Sequence, residues 1–237
     1  KLAESEGKRY SIYNGAVSNT NCSGAVVLPE GVTSIQDSGF YYGELTSINI
    51  PSSVQSIGDY AFTSSKLASI TIQEGLTSIG KQAFQYSELT SINIPSTVRS
   101  IGTNAFASAP ITSVTIQEGL TSIGTAVFNG ATKLQSITIP QSVTSIGSAA
   151  FFGTALTSVT IPSGVTSIGA RAFWGNESLT SISVESDNQN YASVDGVLYD
   201  KNKTTLIQYP AASSRSTYNI LNTVTSIGER AFAGATE

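Results

Sequence analysis

Carboxylates are the side chains of this sequence best suited to acid–base chemistry. The chain has no His, one Cys, and none of the G-x-S-x-G, H-E-x-x-H or P-loop strings of nucleophile, metal or phosphate sites. Its regular part contains five scattered acids, Asp59, Glu74, Glu88, Glu118 and Glu177. Glu74 and Glu118 occupy equivalent places, but there they replace turn residues. The sequence therefore predicts no catalytic residue, no cofactor and no enzymatic activity.

Oxygen-bearing side chains are dense between residues 187 and 195, which raises the question of a calcium site. They are Asp187, Asn188, Asn190 and Asp195. Gln189 and Tyr191 fall where an EF-hand loop needs oxygen ligands, so turn chemistry is the favoured interpretation and no metal site is predicted. The single Cys22 excludes an internal disulfide and is interpreted as a free structural thiol.

Charge and hydropathy exclude two classes of partner. The formal net charge is −4, and the basic residues of the regular part match its five acids in number: Lys66, Lys81, Arg99, Lys133 and Arg171. Without a basic stripe, nucleic acid is not expected as a partner. No run of about 20 apolar residues exists, so membrane insertion is not expected either.

Phenylalanines recur with a spacing of 22 or 23 residues, which indicates stacked repeat units. They are Phe40, Phe62, Phe84, Phe106, Phe128, Phe151 and Phe173, with Phe232 after a longer gap. Each unit has a short alternation of apolar and polar residues, typical of a strand with one buried face. The predicted strand centres are Ile48–Ile50, Ile70–Ile72, Ile92–Ile94, Val114–Ile116, Ile137–Ile139 and Val159–Ile161.

Turn residues follow each predicted strand. A Pro or a Gln-Glu pair ends it, as at Pro51 and Gln73. A recurrent Gly, such as Gly58, predicts a corner with left-handed dihedrals or close backbone approach. The Ala-Phe pair after it is too short for a stable helix, so a single helical or 3₁₀ turn is expected.

These signals divide one continuous domain into four segments. Residues 1–24 are predicted to be a hairpin cap with an Asn-Gly turn, and residues 25–184 the repeats. Residues 185–219 are predicted to be a hairpin insert that projects from the solenoid or lengthens one coil, and residues 220–237 a final partial repeat. Because the chain begins with Lys and lacks Met, a processed or excised fragment without signal and anchor regions is expected.

The consensus L-T-S-I-x-I-P-x-x-V-x-S-I-G-x-x-A-F resembles the BspA-like, or Treponema-type, leucine-rich repeats of bacterial and some protist surface proteins. The resemblance covers about residues 25–234. It implies a right-handed, mostly β leucine-rich repeat solenoid, with a parallel β ladder and short turns or 3₁₀ segments opposite. It departs from the family at Gln36, at Leu221 and where Cys often follows the Phe. This chain has Ser65, Ser87, Ala109, Thr154 or Asn176 there.

Two surfaces are predicted as candidate binding sites. The outward strand face comprises Ser47, Asn49, Ser69, Thr71, Ser91, Asn93, Ser113, Thr115, Ser136, Thr138, Ser158 and Thr160, and continues to Ser181 and Ser183. The loops after each Phe contain Tyr41, Tyr42, Tyr86, Phe152 and Trp174. Small residues that stack well, and rings that fill grooves, are the structural alternatives. The insert is a third candidate.

The function implied by the resemblance is a non-catalytic bacterial binding module, extracellular and either attached to the cell surface or secreted. It would adhere, as a monomer, to an extracellular protein or glycan of a host or neighbouring cell. The alternative is a structural spacer that presents another domain and has no ligand of its own.

Overall fold

The alternating segments of the repeat form a first row of parallel strands. The computed structural model describes residues 2–5, 8–18 and 22–235, with 21 strands numbered in chain order within them. This first row consists of β4 (Ser23–Val27), β6 (Glu44–Ile50), β8 (Ser69–Ile72), β10 (Ser91–Ile94), β12 (Ser113–Ile116), β15 (Ser158–Ile161) and β17 (Ser181–Val184). The pairs β4–β6, β6–β8, β10–β12 and β15–β17 are parallel and in matching repeat register.

The Ser-Ile pair before each recurrent Gly forms a second row. It consists of β5 (Ser34–Ile35), β7 (Ser56–Ile57), β9 (Ser78–Ile79), β11 (Ser100–Ile101), β13 (Ser122–Ile123), β14 (Ser145–Ile146), β16 (Ser167–Ile168) and β21 (Ser226–Ile227). The pairing runs β5–β7–β9–β11 and then β13–β14–β16. The expected leucine-rich β-solenoid is therefore confirmed, with about nine coils.

The Ala-Phe segments form a third row, made of turns. Neither the helical nor the 3₁₀ turn expected there occurs in residues 22–235. The reason is that alternate N–H groups donate to the next coil. The N–H groups of Tyr60, Phe62 and Ser64 bond to the carbonyls of the equivalent turn one coil later. The intervening N–H groups of Thr63 and Ser65 close local turns.

A stack of phenylalanine rings forms the centre of the core. The rings from Phe40 to Phe173 are nearly parallel, and their centroids lie 5.1–5.2 Å apart up to Phe106 and 5.5–5.6 Å apart beyond it. We number coils 1–7 by these rings. The hydroxyls of Ser65 and Ser87 donate to the carbonyl of the preceding Phe. These buried hydrogen bonds accommodate polar side chains where family members often have Cys.

Hairpins occur at both ends of the repeat array. In the N-terminal one, β1 (Leu2–Ser5) pairs with β2 (Lys8–Tyr13), which pairs across Asn14-Gly15 with β3 (Ala16–Ser18). β3 then pairs with β5, so the hairpin joins the second row. Near the C-terminus, β18 (Tyr191–Val194), β19 (Val197–Asp200) and β20 (Thr205–Gln208) form an antiparallel meander.

The C-terminal meander lengthens one coil. β20 pairs in parallel with β21, and the Tyr209 ring stacks on Phe232 with 5.1 Å between centroids. Tyr209 thus takes the place of the phenylalanine in coil 8, and Phe232 belongs to coil 9. The two rings lie in or against a second hydrophobic cluster, separate from the main core, which extends to Ile182 and Leu198.

Proline decides where the first row is interrupted. The N–H groups of Gln73, Gln117 and Glu185 donate to the preceding coil at the strand end, at 3.0–3.1 Å. Proline has no N–H to donate there. The row is broken at the junctions of coils 3–4, 5–6 and 6–7, where the later coil has Pro95, Pro140 or Pro162. Pro51 is tolerated because residues 44–49, upstream of it, form the β4–β6 ladder.

The strand predicted at Ile137–Ile139 is wrong. Residues 136–139 form no strand in the described structure, since Pro140 and Pro162 remove the closing bond on both sides of this segment. The second row remains paired across both junctions through β13, β14 and β16. Coil 6 is therefore held in the solenoid by its second row, while residues 136–139 are not paired with the strands on either side.

Candidate functional site

The predicted strand-face residues form a neutral surface. Ser47 and Asn49 are half-buried, and the remaining predicted residues from Ser69 to Thr160 are exposed. Inward neighbours such as Ile92 and Val114 are buried, as the alternation predicts. The structure therefore brings these hydroxyls and amides together on one face, although two members contribute little exposed surface.

A cleft of about 230 Å³ interrupts the strand face between coils 6 and 7. Ser136, Thr138, Ser158 and Thr160 lie along its sides. The Gln141 amide donates to the Glu185 carboxylate over 2.8 Å at the edge of the cleft. The other oxygen of Glu185 accepts the Ser163 N–H, also at 2.8 Å. These bonds link coils 6, 7 and 8 at the end of the cleft next to Pro162.

The aromatic loop residues separate into two groups. Tyr41, Tyr42 and Tyr86 belong to the third row in coils 1 and 3 and are 46%, 65% and 59% exposed. Tyr41 and Tyr42 touch edge to face, with 4.5 Å between ring centroids. Tyr42 and Tyr86 have φ of 52° and 55°, a conformation that is uncommon for large side chains. Gly130, Gly153 and Gly175 take this position in later coils.

Phe152 and Trp174 are packed within the protein. They are half-buried and contact each other edge to face, with 4.8 Å between centroids. The Arg230 guanidinium lies 4.2 Å from the Trp174 ring centroid, within the range of a cation–π contact. Their surroundings favour a role in joining the last coils over a role in binding.

The acids that share a repeat phase bind the next coil. The Glu118 carboxylate accepts the N–H groups of Gln141 and Ser142, both at 2.9 Å, and these bonds lower its pKa. Partial desolvation raises the pKa of Glu74, but hydrogen bonds from Ser96 and Thr97 outweigh it and the net pKa is lowered. Both carboxylates are engaged in coil-to-coil hydrogen bonds.

Acid should weaken these bonds between coils. Because the pKa values of Glu74 and Glu118 are lowered by folding, their contribution is present above the ordinary value of 4.5 and is lost as the pH falls below it. We expect the melting temperature to fall between about pH 5 and pH 3. A Glu74→Gln/Glu118→Gln variant should show a shallower fall in a thermal melt followed by circular dichroism. An equally steep fall in the variant would contradict the assignment.

The oxygen-bearing side chains of residues 187–195 contribute to a turn. Asn188 is fully buried and its amide group binds four backbone groups. In the described part of the chain, no three His, Cys, Asp or Glu side chains are grouped closely enough to hold a metal ion. The Cys22 thiol is buried. No helix capable of crossing a bilayer is found among the described residues.

Comparison with known proteins identifies the repeat. The profile of the family described as BspA type leucine rich repeat region, with six copies, matches residues 6–112 and 100–194. The chain belongs to this family. Repeats of the BspA type are generally non-catalytic binding scaffolds. No curated protein sequence matches this BspA-type chain.

Solved structures of bacterial proteins are similar to this BspA-type chain. A leucine rich cell surface protein from Faecalibacterium prausnitzii is 31% identical, with a TM-score of 0.81 over 98% of this chain and 73% of its own. A leucine-rich repeat protein from Eubacterium ventriosum is 26% identical, with a TM-score of 0.69 over 98% of this chain and 56% of its own. The pneumococcal vaccine antigen PcpA is 24% identical, with a TM-score of 0.62 over 98% of this chain and 62% of its own. At this identity the similarity shows the fold alone. The chain thus spans between about half and three quarters of these proteins.

Sequence reasoning missed the cleft and the edge formed by Gln141 and Glu185. A partial signal was present, because Pro140 and Pro162 are consecutive at the strand-end position, whereas coils 2 to 5 alternate Pro and Gln. Pro29 and Pro51 are also consecutive, so the pattern alone does not identify the cleft. It also missed Tyr209 as the ring of coil 8, since the interval from Phe173 does not match the repeat.

Proposed function

We propose that this BspA-type module is an extracellular, non-catalytic recognition domain of a bacterial surface or secreted protein. It binds a protein on a host or neighbouring cell, with Tyr41, Tyr42 and Tyr86 as the principal contacts. Family membership supports a binding scaffold, and the exposure of these rings is the observation that carries the choice of surface. Tyr rings present large contact areas at low entropic cost and are enriched in interfaces.

The backbone conformation of the tyrosine loops supports this choice. Three N–H groups in each loop are bonded to the next coil, so the loops are held in place before any partner arrives. A preorganised surface loses less conformational entropy on binding. The aromatic rings are also two coils apart in the row, with the small Ser64 between Tyr42 and Tyr86. The result is a ridged aromatic surface on a rigid support.

Replacing the three tyrosines by Ser should abolish binding to a protein partner. The test is surface-based binding of the folded chain to a panel of extracellular matrix proteins and intact bacterial cells. Since a hot-spot residue typically contributes about 2 kcal/mol or more, the triple variant should weaken binding at least 100-fold. The matched control, Thr71→Ala/Asn93→Ala/Thr115→Ala, changes the exposed strand face of coils 3 to 5.

The control variant also decides between the two predicted surfaces. Loss of binding in the strand-face variant alone would move the recognition site to that face. Absence of saturable binding by the unaltered chain would favour the structural spacer, which the hydrogen-bonded third row of coils 1 to 7 also fits.

A further inference from the structure

We propose that the cleft between coils 6 and 7 is a binding site for one neutral sugar ring of a glycan. The site is separate from the tyrosine surface, which belongs to coils 1 and 3. Three observations support it: unpaired backbone groups along one wall, an opening confined to the strand face, and a lining rich in hydroxyls in which the Glu185 carboxylate is the one charged group.

The first observation concerns the backbone of the open segment. Within the described chain, the N–H and C=O groups of residues 136–139 make no hydrogen bonds to protein. Of these residues Ile139 is 95% buried and Ile137 is half-buried, whereas Ser136 and Thr138 are exposed, so the expectation of a partner based on burial applies to Ile139. Buried backbone groups are nearly always paired, with protein, water or a ligand. A polar molecule in the cleft would satisfy groups that the repeat itself leaves without partners.

The second observation is that only one of the three rows opens at this junction. The phenylalanine rings stay stacked across it, with 5.6 Å between the Phe151 and Phe173 centroids. The second and third rows stay hydrogen-bonded across coils 5 to 7. The opening is therefore confined to the strand face. It is a shallow slot, and a peptide strand could not enter between the coils without breaking both other rows.

The lining decides the chemistry of the ligand. Hydroxyls of Ser136, Thr138, Ser158 and Thr160 and the free peptide groups supply both donors and acceptors. The charge of Glu185 is shared with two donors and disfavours an anion. Sugar hydroxyls each donate and accept, and the apolar edges of Ile137 and Val159 suit the C–H face of a ring. At about 230 Å³ the cleft is below the range of about 300–1,000 Å³ typical of drug-sized ligands, which limits the occupant to one ring.

Proline at position 162 is the element that keeps the cleft open. A residue with an N–H at this position, such as Gln117, donates to the preceding coil over 3.1 Å. The substitution Pro162→Gln should provide the same bond to Ile139, pair the strands and close the cleft. Gln is the natural residue at this place in coils 3 and 5, so the variant is compatible with the fold.

The test is titration of the ¹⁵N-labelled chain with glucose, galactose, mannose and N-acetylglucosamine, followed by amide chemical shifts. At least one sugar should shift the Ile137 and Ile139 amides saturably. Pro162→Gln should weaken this binding at least tenfold, as should Thr138→Val/Ser158→Ala. The control Pro95→Gln, at a junction without a described cleft, should leave it unchanged.

Two outcomes would overturn the proposal. One is that none of the four sugars shifts these amides, which would mean that ordered water alone occupies the cleft. The other is that the shifts persist unchanged in folded Pro162→Gln. The Tyr41→Ser/Tyr42→Ser/Tyr86→Ser variant should retain sugar binding, so failure of the protein-binding proposal and failure of this one are separable.

Discussion

Replacing Asn188 by Ala should lower the free energy of unfolding by about 4 kcal/mol. The Asn188 Nδ2 donates to the carbonyls of Pro162 and Val165, at 2.8 and 3.0 Å, and thereby ties the insert to coil 7. Its Oδ1 accepts the N–H groups of Asn190 and Tyr191, both at 2.8 Å. The side chain is fully buried. Alanine would leave four backbone groups without partners, at about 1 kcal/mol each.

Urea unfolding followed by circular dichroism measures this loss as a lower midpoint. The matched control is Asn190→Ala two residues away, where the side chain is exposed and only backbone atoms are bonded to the neighbouring segments. The control should change stability by less than about 0.5 kcal/mol. Equal midpoints for the Asn188 variant and the unaltered chain would show that water replaces the amide without cost.

Replacing Gly102 by Ala should cost about 3 kcal/mol, because its corner lies against the backbone of the preceding coil. A Cβ added at Gly102 would lie 2.4 Å from the Lys81 nitrogen and 2.6 Å from the Gly80 carbonyl carbon. Its φ is outside the left-handed region. Of the two explanations for the recurrent Gly, close backbone approach therefore applies here. Forcing a methyl group into packed backbone is expected to cost about 1–3 kcal/mol or more.

The control for this prediction is Gly124→Ala in the next coil. There the nearest atom to an added Cβ is the Ile101 carbonyl oxygen at 3.0 Å. The second row is interrupted between β11 and β13, so this corner is farther from its neighbour. We expect a loss of about 1 kcal/mol or less at Gly124, with both glycine variants compared with the unaltered chain by urea unfolding followed by circular dichroism. A larger loss at Gly124 than at Gly102 would contradict the explanation. At this phase the N–H of Gln36 donates to the Val17 carbonyl of β3 in the cap, as the N–H of Gly58 donates to the Ile35 carbonyl of the preceding coil.

Local patterns predicted the repeated part of the fold well. The Phe period and the Ile-x-Ile alternation place the core correctly, because a coil can bury its apolar side chains only by stacking on a coil of the same shape. The Ile137–Ile139 strand was predicted wrongly from the same alternation. Side-chain alternation decides which face is buried. Strand pairing also needs N–H donors in the adjacent coil, and Pro162 has none.

The candidate sites were less accessible to prediction. The sequence grouped Tyr86 with Trp174, since both follow a core Phe and both are aromatic. The structure separates them, because Arg230 of coil 9 lies on the Trp174 ring, whereas Tyr86 has no such cover. The contact depends on how the insert positions coils 8 and 9 after coil 7, and the interval in sequence does not reveal it.

The sequence by itself determined the family, the solenoid and the identity of the buried rings up to Phe173. These follow from periodicity, which is a property of neighbouring residues and repeats with each coil. Tertiary structure alone decided how the coils are joined: which row is hydrogen-bonded at each junction, that Tyr209 completes coil 8, and that a cleft opens at coil 6. Those features depend on donors and acceptors about 22 residues or more apart, whose partners exist only after the coils have stacked.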